Sequence, residues 1–336
     1  MNERIAFLDT AKGFGILLMI IGHTLYLQPN HCSKLNAVIY TFHMPMFLMI
    51  TGYFFKPLPL RESLSKYIRN LVNPCVLTLL LTGLIIMTKD LFGGNQHKEL
   101  IDFGGRCLAL SGFHDNICFP QFHDIGPLWY LFSLTVGGVI LCYSLNLNKI
   151  VQWGLVLLSF VVSSISVKMG YRLPWCLQQG LSMVFFLYVG FLYKSGNFLK
   201  NGLIVPKWGH VVFGIIILVT IRMGGIHISA CHYPLGILSA IGGCLMASYV
   251  IWFLQKYERY FILLNKIGRF TLSILCAHSM MVLMYYEFGY PMSKLKMNSL
   301  LLLFLSIFVD VLGACLIAYV FNRIPLLKRT FNHRNR

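Results

Sequence analysis

Asp9-Thr-Ala-Lys12-Gly-Phe-Gly-Ile-Leu-Leu-Met-Ile-Ile-Gly-His23 is an apolar run that carries three ionisable side chains. An α-helix turns about 100° per residue, so Lys12 and His23 finish within about 20° of each other and about 16 Å apart along the axis. Asp9, three residues before Lys12, falls on the same side. The run therefore predicts a helix with one polar stripe. Ionisable groups are costly in lipid, so such a stripe should face a bundle interior or a watery cavity. A plain signal anchor has no use for three such groups on one face. No small-residue cleavage site follows the run, so it is expected to stay in the protein as a helix.

The composition agrees. Of 336 residues, 57% are hydrophobic and only 12% charged, with a mean hydropathy of +0.69. An ordinary soluble domain is roughly 25% charged. This is the signature of an all-α polytopic membrane protein rather than a barrel. About ten transmembrane helices are expected, near 5–27, 36–55, 68–88, 127–146, 149–168, 179–195, 208–223, 234–254, 271–288 and 298–321, around a central polar cavity. The net charge of +17 raises nucleic acid as a ligand. Its distribution argues against it, because Lys and Arg sit in short loops between apolar runs, most of them on one side. The positive-inside rule then places both termini in the cytoplasm.

The chain reads as one membrane domain over 1–336, with a long outward loop at 89–126 and a basic cytoplasmic tail at 322–336. That loop holds His97, His114, Asp115, Cys118, His123 and Asp124 and is expected to be folded. None of the ten cysteines shows a metal spacing. If any outward pair closes as a disulfide, Cys107 with Cys118 is the pair expected. No P-loop, dinucleotide fingerprint, zinc motif or nucleophile elbow is present.

Four constellations carry possible chemistry. The second span reads Tyr40-Thr-Phe-His43-Met-Pro45-Met-Phe47-Leu-Met-Ile-Thr51-Gly52-Tyr53. Counted from opposite ends, His23 and His43 lie at similar depth, and two imidazoles there make a candidate proton-transfer centre. The alternative is that His43 only satisfies a carbonyl freed by Pro45. The basic residues Lys56, Arg61, Lys66, Arg69, Lys256, Arg259, Lys266 and Arg269 serve topology, or with Lys12 form a vestibule for a phosphate-rich ligand. Trp129 and Tyr130 belong to an interfacial aromatic belt or to a substrate platform. Last, His278, Glu287 and Asp310 are polar groups in or near the last spans and need partners.

Several of these segments together resemble the membrane acyltransferase-3 family. Phe7-Leu-Asp9-Thr-Ala-Lys12-Gly followed by His23 is similar to its first-helix pattern of Arg or Lys, ten residues, then His. Phe42-His-Met-Pro45-Met-Phe47-Leu-Met-Ile-Thr51-Gly52-Tyr53 resembles its Phe/Pro/Phe…Ser-Gly-Tyr segment, with Thr51 where Ser is usual. Leu128-Trp129-Tyr130-Leu131 and Ile267-Gly268…Leu272…His278 resemble two later segments. The likeness is to the short branch of fucose and enterobacterial-antigen O-acetyltransferases, which lacks a fused esterase-like domain.

The resemblance implies acetyl transfer from cytoplasmic acetyl-CoA to a hydroxyl of a cell-surface glycan or lipid-linked saccharide. The setting would be the bacterial inner membrane, among membrane lipids and without nucleic acid or metal. His23 would be the essential histidine, as general base or transient acetyl carrier. His43 would orient it or the acceptor, with Asp9 beside Lys12 on the same stripe. Lys12, Arg69, Lys56, Lys66 and Arg269 would hold donor phosphates. Lys12 stands where Arg is common, which puts a point charge in place of a bidentate fork. Trp129, Tyr130, His123, Asp124 and His278 would serve the acceptor. A proton-coupled exporter of an anionic metabolite uses the same kinds of residue and is the competing reading. Nothing in the sequence signals an oligomeric state.

Overall fold

The computed structural model describes residues 6–27, 33–93, 98–112, 117–119, 121–195, 212, 214–215, 234–295 and 298–331. Among these the regular structure is entirely helical. In chain order the helices are α1 (Ala6–Leu27), α2 (Ser33–Tyr53), α3 (Leu60–Tyr67), α4 (Asn73–Gly93), α5 (Lys98–Ala109), α6 (Trp129–Ser144) and α7 (Lys149–Lys168). They continue with α8 (Leu177–Ser195), α9 (Pro234–Leu254), α10 (Glu258–Gly268), α11 (Thr271–Phe288), α12 (Ser299–Arg323) and α13 (Pro325–Phe331).

Six stretches are long and apolar enough to cross a membrane: α1, Leu35–Tyr53 of α2, Leu60–Lys89, Gly126–Ser144, α7 and α12. A seventh arises if α10 and α11 together make one span. The expected spans at 179–195, 234–254 and 271–288 are helical as α8, α9 and α11. The expected span at 208–223 lies almost wholly outside the described residues. Segment 89–126 is not one extended loop. It holds the end of α4, then α5, then a 3-10 turn from Gly126. The basic tail carries α13.

Contacts divide the chain into two units, Met1–Lys56 with Phe185–Thr271, and Pro57–Val184 with Leu272–Arg336. In the first unit glycines let backbones touch, the usual device where lipid removes the hydrophobic drive between helices. A Cβ on Gly13 would collide with the Leu264 carbonyl, and one on Gly268 with the Asp9 carbonyl, so α1 and α10 lie backbone to backbone. The Gly52 and Gly190 positions do the same for α2 and the end of α8, against Leu187 O and Met49 O. The core beside them is Phe7, Leu8, Ala11, Met46, Ile50, Cys244, Ala247 and Ile251.

In the second unit, Leu60–Lys89 runs on as one span through a π turn at Ile68–Val72. Pro74 has no N–H to give the Asn70 carbonyl. The turn above it widens instead, and Asn73 N–H reaches back to Ile68 O. The Tyr67 ring fills the space left by Gly138 on α6, and Cys142 Sγ donates to Leu58 O at 2.9 Å. At the other end of the chain, Phe321 and Phe331 stack with centroids 4.5 Å apart. Asn322 Nδ2 donates to Ser273 Oγ at 2.9 Å, tying α12 to α11.

Candidate functional site

In the first unit, α2 presents Asn36, Tyr40 and His43 at spacings of four and three, which puts them on one helical stripe. Asn36 Nδ2 donates to the Gly22 carbonyl at 3.0 Å. Gly22 also gives the Tyr40 ring its room, for a Cβ there would lie 2.9 Å from Tyr40 Cε2. The ring then brings its hydroxyl to 3.2 Å from His23 Nδ1. The same ring meets the His43 imidazole edge to face, centroids 5.0 Å apart. So the two histidines share one tyrosine. Tyr40 was legible as three residues before His43, one turn away, but an aromatic near the end of a span reads first as an interfacial residue.

The two imidazoles are held differently. His43 is buried, and its Nδ1 lies 2.8 Å from the Ile39 carbonyl. A carbonyl only accepts, so Nδ1 carries the proton and the neutral ring keeps its lone pair on Nε2. This is a carbonyl of its own helix, but not the Thr41 carbonyl that Pro45 leaves without its N–H. His23 is half-buried, with Nδ1 toward a hydroxyl that can donate or accept.

Toward the start of α1, Asp9 is 7% exposed and its Oδ1 lies 3.5 Å from Lys12 Nζ. Lys12 Nζ also sits 4.9 Å from the centre of the Phe54 ring. Beside them opens an apolar cleft of about 530 Å³, its mouth included, whose walls include Phe7, Ala11, Met46, Tyr53, Tyr193 and Cys244. Sequence reasoning missed this cleft, because its walls come from four helices far apart in the chain. Arg269 is exposed and its Nε donates to Asn265 Oδ1 at 3.1 Å, while Asn265 Nδ2 donates to Ala6 O. Lys56 is exposed at the end of this unit's first segment.

The second unit holds the remaining candidates. Lys66 and Arg69 are exposed, Arg69 within the π turn. Trp129 and Tyr130 meet at 87° between ring planes, so they do not make one flat platform. Trp129 is half-buried and Tyr130 is buried. Asp124 Oδ1 accepts from Gly126 N–H at 2.7 Å and so shapes the turn that opens α6, where Gly126 takes φ +58°. His123 is exposed, and His278 is completely enclosed in α11. Glu287 pairs with the buried Arg106 at 3.1 Å, and Arg106 also forks onto Asp102. Asp310 accepts from Tyr285 at 2.8 Å and Tyr290 at 3.2 Å. Cys107 and Cys118 are both free thiols, so the expected disulfide is not formed. No group of three metal-ligating side chains occurs among the described residues.

This arrangement matches a known pattern over nearly its whole length: the family model of an acyltransferase domain, acyltransferase-3, covers residues 5–320. The chain belongs to the acyltransferase-3 family. It is similar to the nodulation protein NolL of Mesorhizobium japonicum, 26% identical over 224 residues, which are 63% of this chain and 54% of that protein. It is also similar to the nodulation protein NolL of Sinorhizobium fredii, 23% identical over 174 residues, 50% of this chain and 44% of that protein. The chain thus spans about half the length of the curated relatives it matches. No solved structure matches it. The family and the apolar helices together make it a multi-pass membrane acyltransferase.

Proposed function

We propose that this acyltransferase is an O-acetyltransferase of the bacterial inner membrane. It would move acetyl groups from cytoplasmic acetyl-CoA to hydroxyls of an extracytoplasmic glycan or its lipid-linked precursor. The observation that carries the reading is the pair His23 and His43 on one tyrosine, on the unit that also holds Lys12 and an apolar cleft.

In this reading the acceptor hydroxyl gives its proton to an imidazole, and its oxygen attacks the thioester carbonyl. The C–S bond breaks, and the CoA thiolate leaves and takes up a proton. A general base contributes about 10²–10⁴-fold. His23 is placed for this by its half-exposed ring, and transient acetylation of His23 is the two-step form of the same chemistry. The cleft suits the apolar stretch of the donor, and Lys12 suits its phosphates as a point charge. Arg69, Lys56, Lys66 and Arg269 would draw the donor in from the cytoplasmic side. His123, Asp124, Trp129, Tyr130 and His278 would serve the acceptor side, Asp124 and His278 by holding the fold there.

The test uses purified protein in nanodiscs with radiolabelled acetyl-CoA. His23→Ala should lower acetyl transfer by about 10²-fold or more while donor binding persists. Lys12→Ala should weaken donor binding measured by calorimetry by about tenfold, or about 1.4 kcal/mol. Full transfer by His23→Ala, or no donor binding by folded wild type, would end the proposal.

A further inference from the structure

Two adjacent glutamines open α8, and both are completely buried. Gln178 is fully used. Its Oε1 accepts from Leu173 N–H, and its Nε2 donates to Ser166 Oγ and to Tyr171 O. Gln179 is the opposite case: neither Oε1 nor Nε2 has a hydrogen-bond partner among the described residues. Leaving a buried amide unsatisfied costs about 1–3 kcal/mol, and native structures rarely keep such a group without a reason.

The backbone around it is strained in the same place. Leu110, Trp175 and Cys176 all take positive φ, at 41°, 57° and 53°. Each such residue costs of order 1–3 kcal/mol and persists only where its surroundings hold it. Here they do: Trp175 N–H donates to Ala109 O at 3.0 Å, Cys176 Sγ to Leu110 O at 2.9 Å, and Ser133 Oγ to Cys176 O at 3.4 Å. These bonds clamp the start of α8 to the end of α5 and to α6. The clamp aims the Gln179 carboxamide at Gly112 and Trp129. A Cβ on Gly112 would lie 2.7 Å from Gln179 Nε2 and 3.0 Å from Trp129 Cγ. Gly112 and Trp129 are both half-exposed, so the amide lies behind a gap where a side chain is missing, next to an indole.

We propose that Gln179, with the Trp129 indole and the gap at Gly112, is a subsite for a neutral sugar ring. A carboxamide offers one acceptor and two donors, which fits a pair of neighbouring hydroxyls or an acetamido group. An indole takes the apolar face of a pyranose and leaves its hydroxyls to the amide. Gln179 is a specificity-determining residue for the acceptor in this scheme. The role of the sugar rests on the acetyl-transfer reading, but its binding is measurable without any transfer.

The experiment compares wild type, Gln179→Leu and Gln178→Leu as full chains in nanodiscs. The probes are the methyl glycosides of glucose, fucose and N-acetylglucosamine, read by thermal shift and indole fluorescence. At least one glycoside should raise the wild-type Tm, and Gln179→Leu should weaken that binding about tenfold or more. Without sugar, Gln179→Leu should keep or raise the Tm, because an unpaired polar group has been replaced by an apolar one of similar size. Gln178→Leu should lower the Tm, because it breaks satisfied bonds. A Tm loss in Gln179→Leu equal to that of Gln178→Leu would make Gln179 structural and overturn the proposal. So would equal binding by wild type and Gln179→Leu, or no binding of any probe by wild type. Gln179-dependent binding without acetyl transfer would leave the subsite standing and remove only the transfer reading.

Discussion

Tyr40 holds the one hydroxyl seen against His23, and Gly22 makes the space for its ring. Tyr40→Phe keeps the ring and its edge contact with His43 but loses the hydroxyl. The expected result is a normally folded protein whose kcat falls about tenfold while the KM for acetyl-CoA is unchanged, since a positioning bond of about 1.4 kcal/mol is removed. A KM change with constant kcat would instead place Tyr40 in donor binding. At this scale much was legible. Asp9, Lys12 and His23 follow from a helical period, and the depth argument brought His23 and His43 into one neighbourhood. Tyr40 was not singled out, because periodicity shows which face a residue occupies and not which neighbour it touches. The perpendicular setting of Trp129 and Tyr130 was hidden for the same reason: ring angles come from packing.

Between helices, the decisive contacts are glycine against carbonyl. Gly190→Leu drives a branched side chain into the Met49 backbone, which cannot move aside as a side chain would. Overpacking costs about 1–3 kcal/mol, more when backbone must shift, and thermal unfolding of the detergent-purified variant measures it. Helices with long apolar runs were readable, whereas α5 was not. Lys98, Glu99, Asp102 and Arg106 give this short element too many charges for a span. It forms because its charges are answered nearby, Lys89 to Glu99 at 3.0 Å and Arg106 to Asp102 at 2.7 Å. Its Cys107 offers a probe. Burial pushes that thiol up to about 11, with the Arg106 guanidinium pulling part of the way back. At pH 7.5 maleimide should therefore label exposed Cys118 far faster than Cys107, and Cys107 labelling should rise steeply with pH. Reductant should change neither, because both thiols are free.

Across the molecule, the second unit places a guanidinium with 4% exposure against Glu287 at 6%. Removing one partner of a buried pair costs about 3–5 kcal/mol, whereas replacing both by apolar groups is often nearly neutral. Arg106→Met should thus unfold at markedly lower temperature, and Arg106→Met with Glu287→Leu should recover most of the loss. An additive loss in the double variant would argue that the pair does not interact. The family and the helical class were readable from end to end, because hydropathy and motif order survive without any knowledge of packing. The π turn at Ile68–Val72 was not, since it is one residue too many within a pattern that otherwise runs on. That surplus residue has a consequence for the length of the chain itself. A deletion inside an ordinary span rotates everything beyond it by about 100° and turns its faces away from their neighbours. A single-residue deletion within 68–72 would only convert the wide turn to an ordinary one, keeping Tyr67 on Gly138 and α4 in phase. Among deletions scanned from 60 to 89, those five positions should be where the membrane still receives a folded protein.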